Sequence, residues 1–434
     1  MAFLLSREML TSHFKSDIFT TLIIRGVTRM NIKENIKKYA SEFLRITAIS
    51  ILIGVACGLI GAGFVKSIAF VTSLREKDGV ILLFLPVLGL ISTFIYNKLK
   101  VNGIGTNHII KSVRTNEKVS PILSVAIFSG TVLSHFGGAS VGREGAALQL
   151  GGSIGEFFAK IFNLKEEDRR ILVISGMGGC FAALFGTPFA AFVFVLEIAR
   201  IGKRCFTAII PAFISTFTGF FVANTLGIEP ESFPVNEVPA LSLQVSWKFI
   251  LIAVVGALIS VVFVHVLHFS ENGFKRLFKN EYVRVAIGGV IVIALALGLG
   301  TTDYNGGGIP VVHHVFTHGE VNYEAFLLKL LFTAICVGAG YKGGEIVPTI
   351  FIGGTLGGAV ACILGLNPAF GGAIGITAMF CGVTNAPFAT VVLACELFGV
   401  EGIGYYLVAS AIGFILSGKK SLYIGGKIPF AQTK

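Results

Sequence analysis

Charge is scarce in this chain. Asp, Glu, Lys and Arg together make up 14% of its 434 residues against 54% hydrophobic residues, and the mean hydropathy is +0.82. A soluble globular chain does not reach these values, so a water-soluble domain is excluded. Acidic residues are fewer than basic ones, 24 against 35, which leaves a formal net charge of +11. That excess does not mark a nucleic-acid partner, because no soluble domain exists to display a basic face. Seven cysteines, at 57, 180, 205, 336, 362, 381 and 395, lack the pairing a metal centre needs and read as small packing residues. His313, His314 and His318 fall in what reads as a polar connection, with no carboxylate or cysteine at ligand spacing. They read as a solvated loop, and neither a metal nor a cofactor is expected. No apolar segment carries a nucleophile–base pair or the HExxH spacing, so the reading is not an enzyme. No small-residue cleavage site precedes NIKENIKKY, so residues 1–40 read as a basic N-terminal arm and not as a cleaved signal. The part before Met30 reads as an upstream extension or a loosely ordered arm.

What is present is a series of apolar runs of spanning or near-spanning length: 46–65, 80–97, 119–134, 171–199, 205–227, 248–267, 282–300, 325–338, 346–365, 370–399 and 402–417. Ten or more helices follow, an all-α polytopic membrane protein with residues 41–434 as one membrane domain. Fifty-four glycines fall largely inside these runs, which suits close helix packing and interrupted helices whose freed backbone lines a cavity. Positive charge collects outside the runs, in the first forty residues, at 111–118, 165–170 and 200–204, and from Lys419 onward. That bias predicts a plasma (inner) membrane protein with its N-terminus in the cytoplasm.

One stretch breaks the pattern. In GGASVGREGAALQLGGSIG, residues 137–155, Arg143 and Glu144 stand side by side inside a glycine-rich run. A charge at bilayer depth costs roughly 2.5–3.5 kcal/mol on insertion scales, so the pair points to function. Gly142 and Gly145 leave the backbone bare, and the segment after them begins a helix whose unpaired N–H groups and positive dipole end form an anion site. A tethered carboxylate occupies such a site as a surrogate ligand and leaves it when protonated. Anion and proton then compete for one place. The competing reading is a glutamate that merely suits the first turn of a helix.

The chain also repeats itself. A shift of 202 lays GREGAALQLGGSIG (142–155) over GEIVPTIFIGGTLG (344–357); a shift of 199 lays TPFAAFVFVLE (187–197) over APFATVVLACE (386–396); and a shift of 203 lays NGIGT (102–106) over NGGGI (305–309). Three matches in one order predict two related halves, about 41–235 and 236–434, joined by PESFPVNEVP. Paired halves put their site between them, on broken helices near the midplane. The glycine-rich breaks are 102–106 and 142–145 in the first half, 305–310 and 343–348 in the second. Glu345 lies in the counterpart of the 142–145 stretch, which makes it a second candidate carboxylate.

These motifs resemble the CLC family of chloride channels and anion/proton antiporters over nearly all of residues 45–425. GREG at 142–145 is similar to the family's gating-glutamate motif, GIGT at 103–106 to its first anion loop, GGEIVP at 343–348 to its second, and KSLY at 420–423 to the segment with its anion-coordinating tyrosine. The resemblance implies that Glu144 is the gating and proton-carrying residue and Glu345 a central-site carboxylate. It implies anion binding by Gly103, Ile104, Gly105, Gly142, Arg143, Gly145, Ala146, Gly344, Ile346, Val347 and Tyr423. It also implies a CLC-type fold of two inverted-topology repeats with short, tilted and broken helices, and a homodimer with one pathway per subunit.

The departures narrow the branch. Ile104 replaces the loop serine, Ala146 replaces a proline after GREG, Ile198 stands where chloride/proton antiporters carry an internal proton glutamate, and Glu345 replaces an apolar residue. Together with HFGGASVGREGA at 135–146, these features are similar to the fluoride/proton antiporter branch, although that branch often has methionine at the Ile104 position and threonine at the Val347 position. The expected function is export of fluoride in exchange for protons, conferring fluoride resistance; the alternative is a chloride channel or chloride/proton exchanger. An end to the last apolar run near 417 predicts no paired cytoplasmic regulatory domains.

Overall fold

The structure, a computed structural model, describes residues 32–115, 117–199, 205–418 and 421–423, with the side chains of 32–40, 205 and 206 set aside. The expected arm at 1–40, the basic group at 200–204 and the first residue of KSLY lie outside the described residues or side chains. The chain divides into Met1–Ala48 and Ile49–Lys434, with the boundary falling inside the first helix.

Among the described residues every regular element is helical. In chain order these are α1 (Ile32–Lys77), a 3₁₀ turn (Gly79–Phe84), α2 (Leu85–Lys98), α3 (Thr106–Arg114), α4 (Leu123–Gly137), α5 (Glu144–Ile161), α6 (Glu166–Phe185), α7 (Pro188–Ala199) and α8 (Cys205–Thr225). The second half follows with α9 (Leu243–Leu277), α10 (Glu281–Leu299), α11 (Ile309–His318), α12 (Ala325–Ala339), α13 (Ile346–Leu364), α14 (Pro368–Thr384), α15 (Pro387–Phe398), a 3₁₀ turn (Val400–Gly402) and α16 (Ile403–Leu416). Ser41–Lys77, Gly79–Lys98, Thr207–Thr225, Leu243–Leu277, Glu281–Leu299 and Ile346–Leu364 are long and apolar enough to cross a membrane, and shorter apolar helices lie among them.

Two of the long apolar runs are each a pair of helices. The run 171–199 breaks between α6 and α7, where Gly186 takes φ +71° and Pro188 opens the next helix. The run 370–399 breaks in the same way between α14 and α15, at Asn385 (φ +54°) and Pro387. A left-handed residue followed by proline ends one helix and starts another without a polar loop. The histidine group also departs from expectation. His313, His314 and His318 lie on α11, whose start is set by Gly308 in the left-handed region and Pro310 in the first turn, not in a loop. His314 and His318 stack with ring centroids 4.3 Å apart, and His314 Nε2 lies 3.0 Å from Glu320.

Glycine sets the contact between the long helices of each half. A Cβ on Gly151 of α5 would strike the carbonyl of Gly176 on α6, and one on Gly176 would strike the carbonyl of Gly151. The second half repeats this with Gly353 of α13 and Gly375 of α14. Backbones this close exclude any larger side chain.

The halves meet head to tail. The Glu197 carboxylate at the end of α7 accepts from the N–H groups of Phe388 and Ala389 at the start of α15 (3.3 and 2.8 Å), and Glu396 at the end of α15 accepts from Phe189 and Ala190 at the start of α7 (3.1 and 2.7 Å). Each short helix thus has its orphan N–H groups capped by its counterpart. The matched helices α7 and α15 therefore lie antiparallel, the relation that inverted repeats impose.

Candidate functional site

Helix α4 ends at Gly138, whose φ of +82° turns the chain out of the helix, and α5 begins at Glu144. In the second half Gly340 (φ +105°) ends α12, and α13 begins at Ile346. The two breaks touch through a reciprocal pair of hydrogen bonds: Gly142 N–H donates to Gly344 O (2.6 Å) and Gly344 N–H to Gly142 O (2.7 Å). This bridge is antiparallel and brings the starts of α5 and α13 together. Neither start has a side-chain cap, and the first-turn N–H groups of a helix have no partner within it.

Glu144 is 1% exposed. One carboxylate oxygen, Oε2, accepts from the backbone N–H of Arg143 (3.0 Å), and Oε1 lies 3.3 Å from Arg143 Nε. The far end of the same guanidinium, Nη2, donates to Glu231 Oε1 at 2.5 Å. Glu345 precedes the first residue of α13 and is half-buried; a Cβ built on Gly145 would stand 3.5 Å from its Oε2 and 2.8 Å from Gly344 Cα.

Two cavities approach this core. The first, about 570 Å³, is lined by Arg75, His135, Gly142, Arg143, Glu231 and Val347 among others. The second, about 400 Å³, is lined by Gly103, Ile104, Gly105, Gln149, Glu345 and Tyr423 among others. The residues singled out in the sequence therefore divide between two cavities, with the Gly142–Gly344 bridge between them and Glu144 beside that bridge, lining neither. Gly145, Ala146, Gly344 and Ile346 are buried in that partition.

In the second cavity the supporting bonds are explicit. Thr106 Oγ1 donates to Gly145 O (3.2 Å) and accepts from Gln149 Nε2 (3.2 Å), fixing α3 against α5. Gly103 is in the left-handed region at φ +76°, so the loop turns there and leaves Ile104 packed against the core. Tyr423 is held by its surroundings: Asn107 Nδ2 donates to Leu422 O (2.9 Å), and Leu422 N–H to Val383 O (3.0 Å). Its hydroxyl is buried without a partner among the described residues. A buried hydroxyl left so costs about 1–3 kcal/mol, which an anion accepting a hydrogen bond from it would offset.

Several side chains around the first cavity were not singled out from the sequence. Arg75 Nη1 donates to His135 O (2.7 Å), Asn305 Nδ2 to Gly138 O (2.7 Å), and the buried Lys329 Nζ to Tyr304 O (3.0 Å) and Gly306 O (2.7 Å). These bonds clamp the 302–308 loop against the corner at Gly138. Lys329 did carry a signal, as a lone cation in the apolar run 325–338. Glu231 carried none, because it lies in the connector 88 residues from its arginine.

The profile of the family described as voltage gated chloride channel matches residues 88–418. A chloride/fluoride channel protein of Pseudomonas syringae pv. tomato is 32% identical over 393 residues, which is 89% of this chain and 86% of the relative. An H(+)/Cl(-) exchange transporter of Vibrio campbellii is 28% identical over 453 residues, 94% of each. The crystal structure of a CLC-type fluoride/proton antiporter superposes with a TM-score of 0.84 at 30% identity, covering 88% of this chain and 98% of that one. With a profile spanning most of its length and this relative and structure beside it, the chain belongs to the CLC, or voltage-gated chloride channel, family.

Proposed function

We propose that the protein exports fluoride in exchange for protons, with Glu144 as both gate and proton carrier. The observation that carries this reading is the buried Glu144 carboxylate at the start of α5, held by the Arg143 N–H beside the Gly142–Gly344 bridge, which has one cavity on each side. Ionised, it fills the place an anion would take; protonated, it loses the charge that holds it there. Glu345 and the unpartnered Tyr423 hydroxyl supply donors on the side of the second cavity, Glu345 when it carries a proton. The buried Ile198, at the end of α7, holds no proton, so the proton crosses with Glu144 itself. The name of the 30% structural neighbour mentions fluoride alone and supports fluoride over chloride, while that of the 32% relative mentions both ions.

The rest of the reading is a homodimer in the inner membrane, one pathway per subunit, with the N-terminus in the cytoplasm and transport rather than enzymatic chemistry. Chloride/proton exchange is the second reading, favoured by the relative from Vibrio campbellii. One assay separates them. Liposomes holding the purified protein are loaded with fluoride or with chloride, and anion efflux and external pH are recorded together. Faster fluoride efflux with proton uptake is expected. Chloride flux equal to or above fluoride flux would overturn the assignment, and anion flux without proton movement would make the protein a channel.

A further inference from the structure

Arg143 serves two carboxylates with one guanidinium. Its Nε lies 3.3 Å from Glu144 Oε1, and its Nη2 donates to Glu231 Oε1 at 2.5 Å. The Glu144 side chain is 2% exposed, whereas Arg143 and Glu231 are 19% and 20% exposed and face the first cavity. The guanidinium is a rigid fork, so a pull on one end sets how the other end meets its partner.

Glu231 is placed by backbone, not by this ion pair. Its N–H donates to Phe185 O (3.1 Å); farther along the same strap, Phe233 N–H donates to Leu397 O (2.8 Å) and Val235 N–H to Phe398 O (3.2 Å). The Phe233 ring is buried against His313 and Phe316, with centroids 4.5 and 5.4 Å away. Removing the Glu231 charge therefore leaves the strap attached at both ends.

We propose that Glu231 is a positioning residue which, by drawing the Arg143 guanidinium toward itself, makes the Glu144 carboxylate readier to take a proton from the first cavity. The proposal rests on Glu144 being the gate. Its sign follows from two effects that act together. With Glu231 neutral, the guanidinium is free to turn its fork to Glu144, and a like charge near Glu144 disappears; both favour ionised Glu144. Other charged or titratable groups lie around the two cavities: Arg75, Glu76, His135 and Asp303 line the first, and Glu345 and Tyr423 line the second. Substitution at 231 leaves all six in place, so a change in pH dependence reports on the Arg143 network. The plainer alternative is that the pair only tethers the connector; losing a tether lowers stability or rate but does not move the pH at which transport is half-maximal.

The test is fluoride efflux from liposomes against external pH for the full chain, Glu231→Gln, Glu231→Asp, Arg143→Gln and Glu144→Gln. Glu231→Gln moves the half-maximal pH downward by about half to one unit, after allowance for screening at this partly exposed site. Glu231→Asp, which keeps the charge, lies near the unaltered protein, and Arg143→Gln moves the midpoint upward. An unmoved midpoint in Glu231→Gln, with pH dependence abolished in Glu144→Gln, overturns the proposal alone. Persistent pH dependence in Glu144→Gln overturns the gate assignment beneath it. Should Glu231→Gln fail to reconstitute, Arg143→Gln decides, since a midpoint that stays put or falls contradicts the stated sign.

Discussion

Replacing Glu144 by glutamine keeps the length and shape of the side chain and removes its charge. In the seated position the carboxylate accepts the Arg143 N–H at 3.0 Å and meets Arg143 Nε at 3.3 Å. A hydrogen bond to a charged group contributes about 1.5–3 kcal/mol net, against about 0.5–1.5 kcal/mol for a neutral pair. The well-formed bond thus weakens by about 1 kcal/mol, and the longer contact adds less. A total of about 1–2 kcal/mol lowers occupancy of the seated position roughly 5- to 30-fold. The effect on coupling is larger than this ratio, because an amide takes up no proton near neutral pH. Proton uptake driven by an outward fluoride gradient should fall to the level of protein-free liposomes, and residual fluoride efflux should no longer depend on external pH. The assay is a pH electrode and a fluoride electrode in one vesicle suspension. Proton uptake at the ratio of the unaltered protein in Glu144→Gln would refute the gate and leave Glu144 as a residue suited to a helix start.

Three further outcomes can be checked independently. Glu345→Ala removes an O–H donor whose bond to a charged acceptor contributes about 1.5–3 kcal/mol, so the fluoride-to-chloride flux ratio should fall on the order of tenfold; an unchanged ratio leaves Glu345 without a part in selectivity. Ile198→Ala should lower stability by about 2–5 kcal/mol, as for other buried isoleucines, and keep the proton-to-fluoride ratio, whereas lost proton flux with fluoride flux retained would reveal a second relay. Gly375→Ala and Gly298→Ala should change thermal stability in opposite directions. The first drives a methyl into the Gly353 carbonyl, at a cost of about 1–3 kcal/mol or more, and the second fills open space in α10 and gains about 0.5–1 kcal/mol.

The repeat made the residues at which the two halves meet legible in the sequence. Gly142 and Gly344, matched by the shift of 202, are the residues whose backbones bridge, and Glu197 and Glu396, matched by the shift of 199, cap each other's helices. Local sequence carried those matches because a helix break needs its glycines and a cap needs its carboxylate. The breaks inside 171–199 and 370–399 were hidden, since a left-handed residue followed by proline interrupts a helix without interrupting hydrophobicity. The helical setting of His313 was hidden for the opposite reason: four polar rings and hydroxyls in ten residues masked a short helix that Pro310 starts. Glu231, and the contacts that the lone cation Lys329 makes, were beyond local reading. Their meaning lies in partners 88 and 23 to 25 residues away, and nothing in a connector or an apolar helix says which loop will be brought to it.

The two halves are alike in backbone and unlike in charge at one position. The shift of 202 that pairs Gly142 with Gly344 also pairs Arg143 with Glu345, so a guanidinium in the first half stands where the second half has a carboxylate. Inverted repeats give the starts of α5 and α13 the same donors facing one another, and an anion placed between them has no electrostatic reason to prefer either side. The exchange at this position breaks the tie. Arg143 lines the first cavity and Glu345 the second, so each cavity meets the partition with a different sign of chemistry. On the proposed reading, Arg143 at one mouth draws the anion and holds ionised Glu144, and Glu345 at the other repels the anion until it carries a proton and then donates to it. Antiport needs such a difference, because the anion and the proton must respond to the same partition in opposite ways. The fold supplies two equivalent helix starts, and on the proposed reading the unequal residues on them are what make anion and proton alternate.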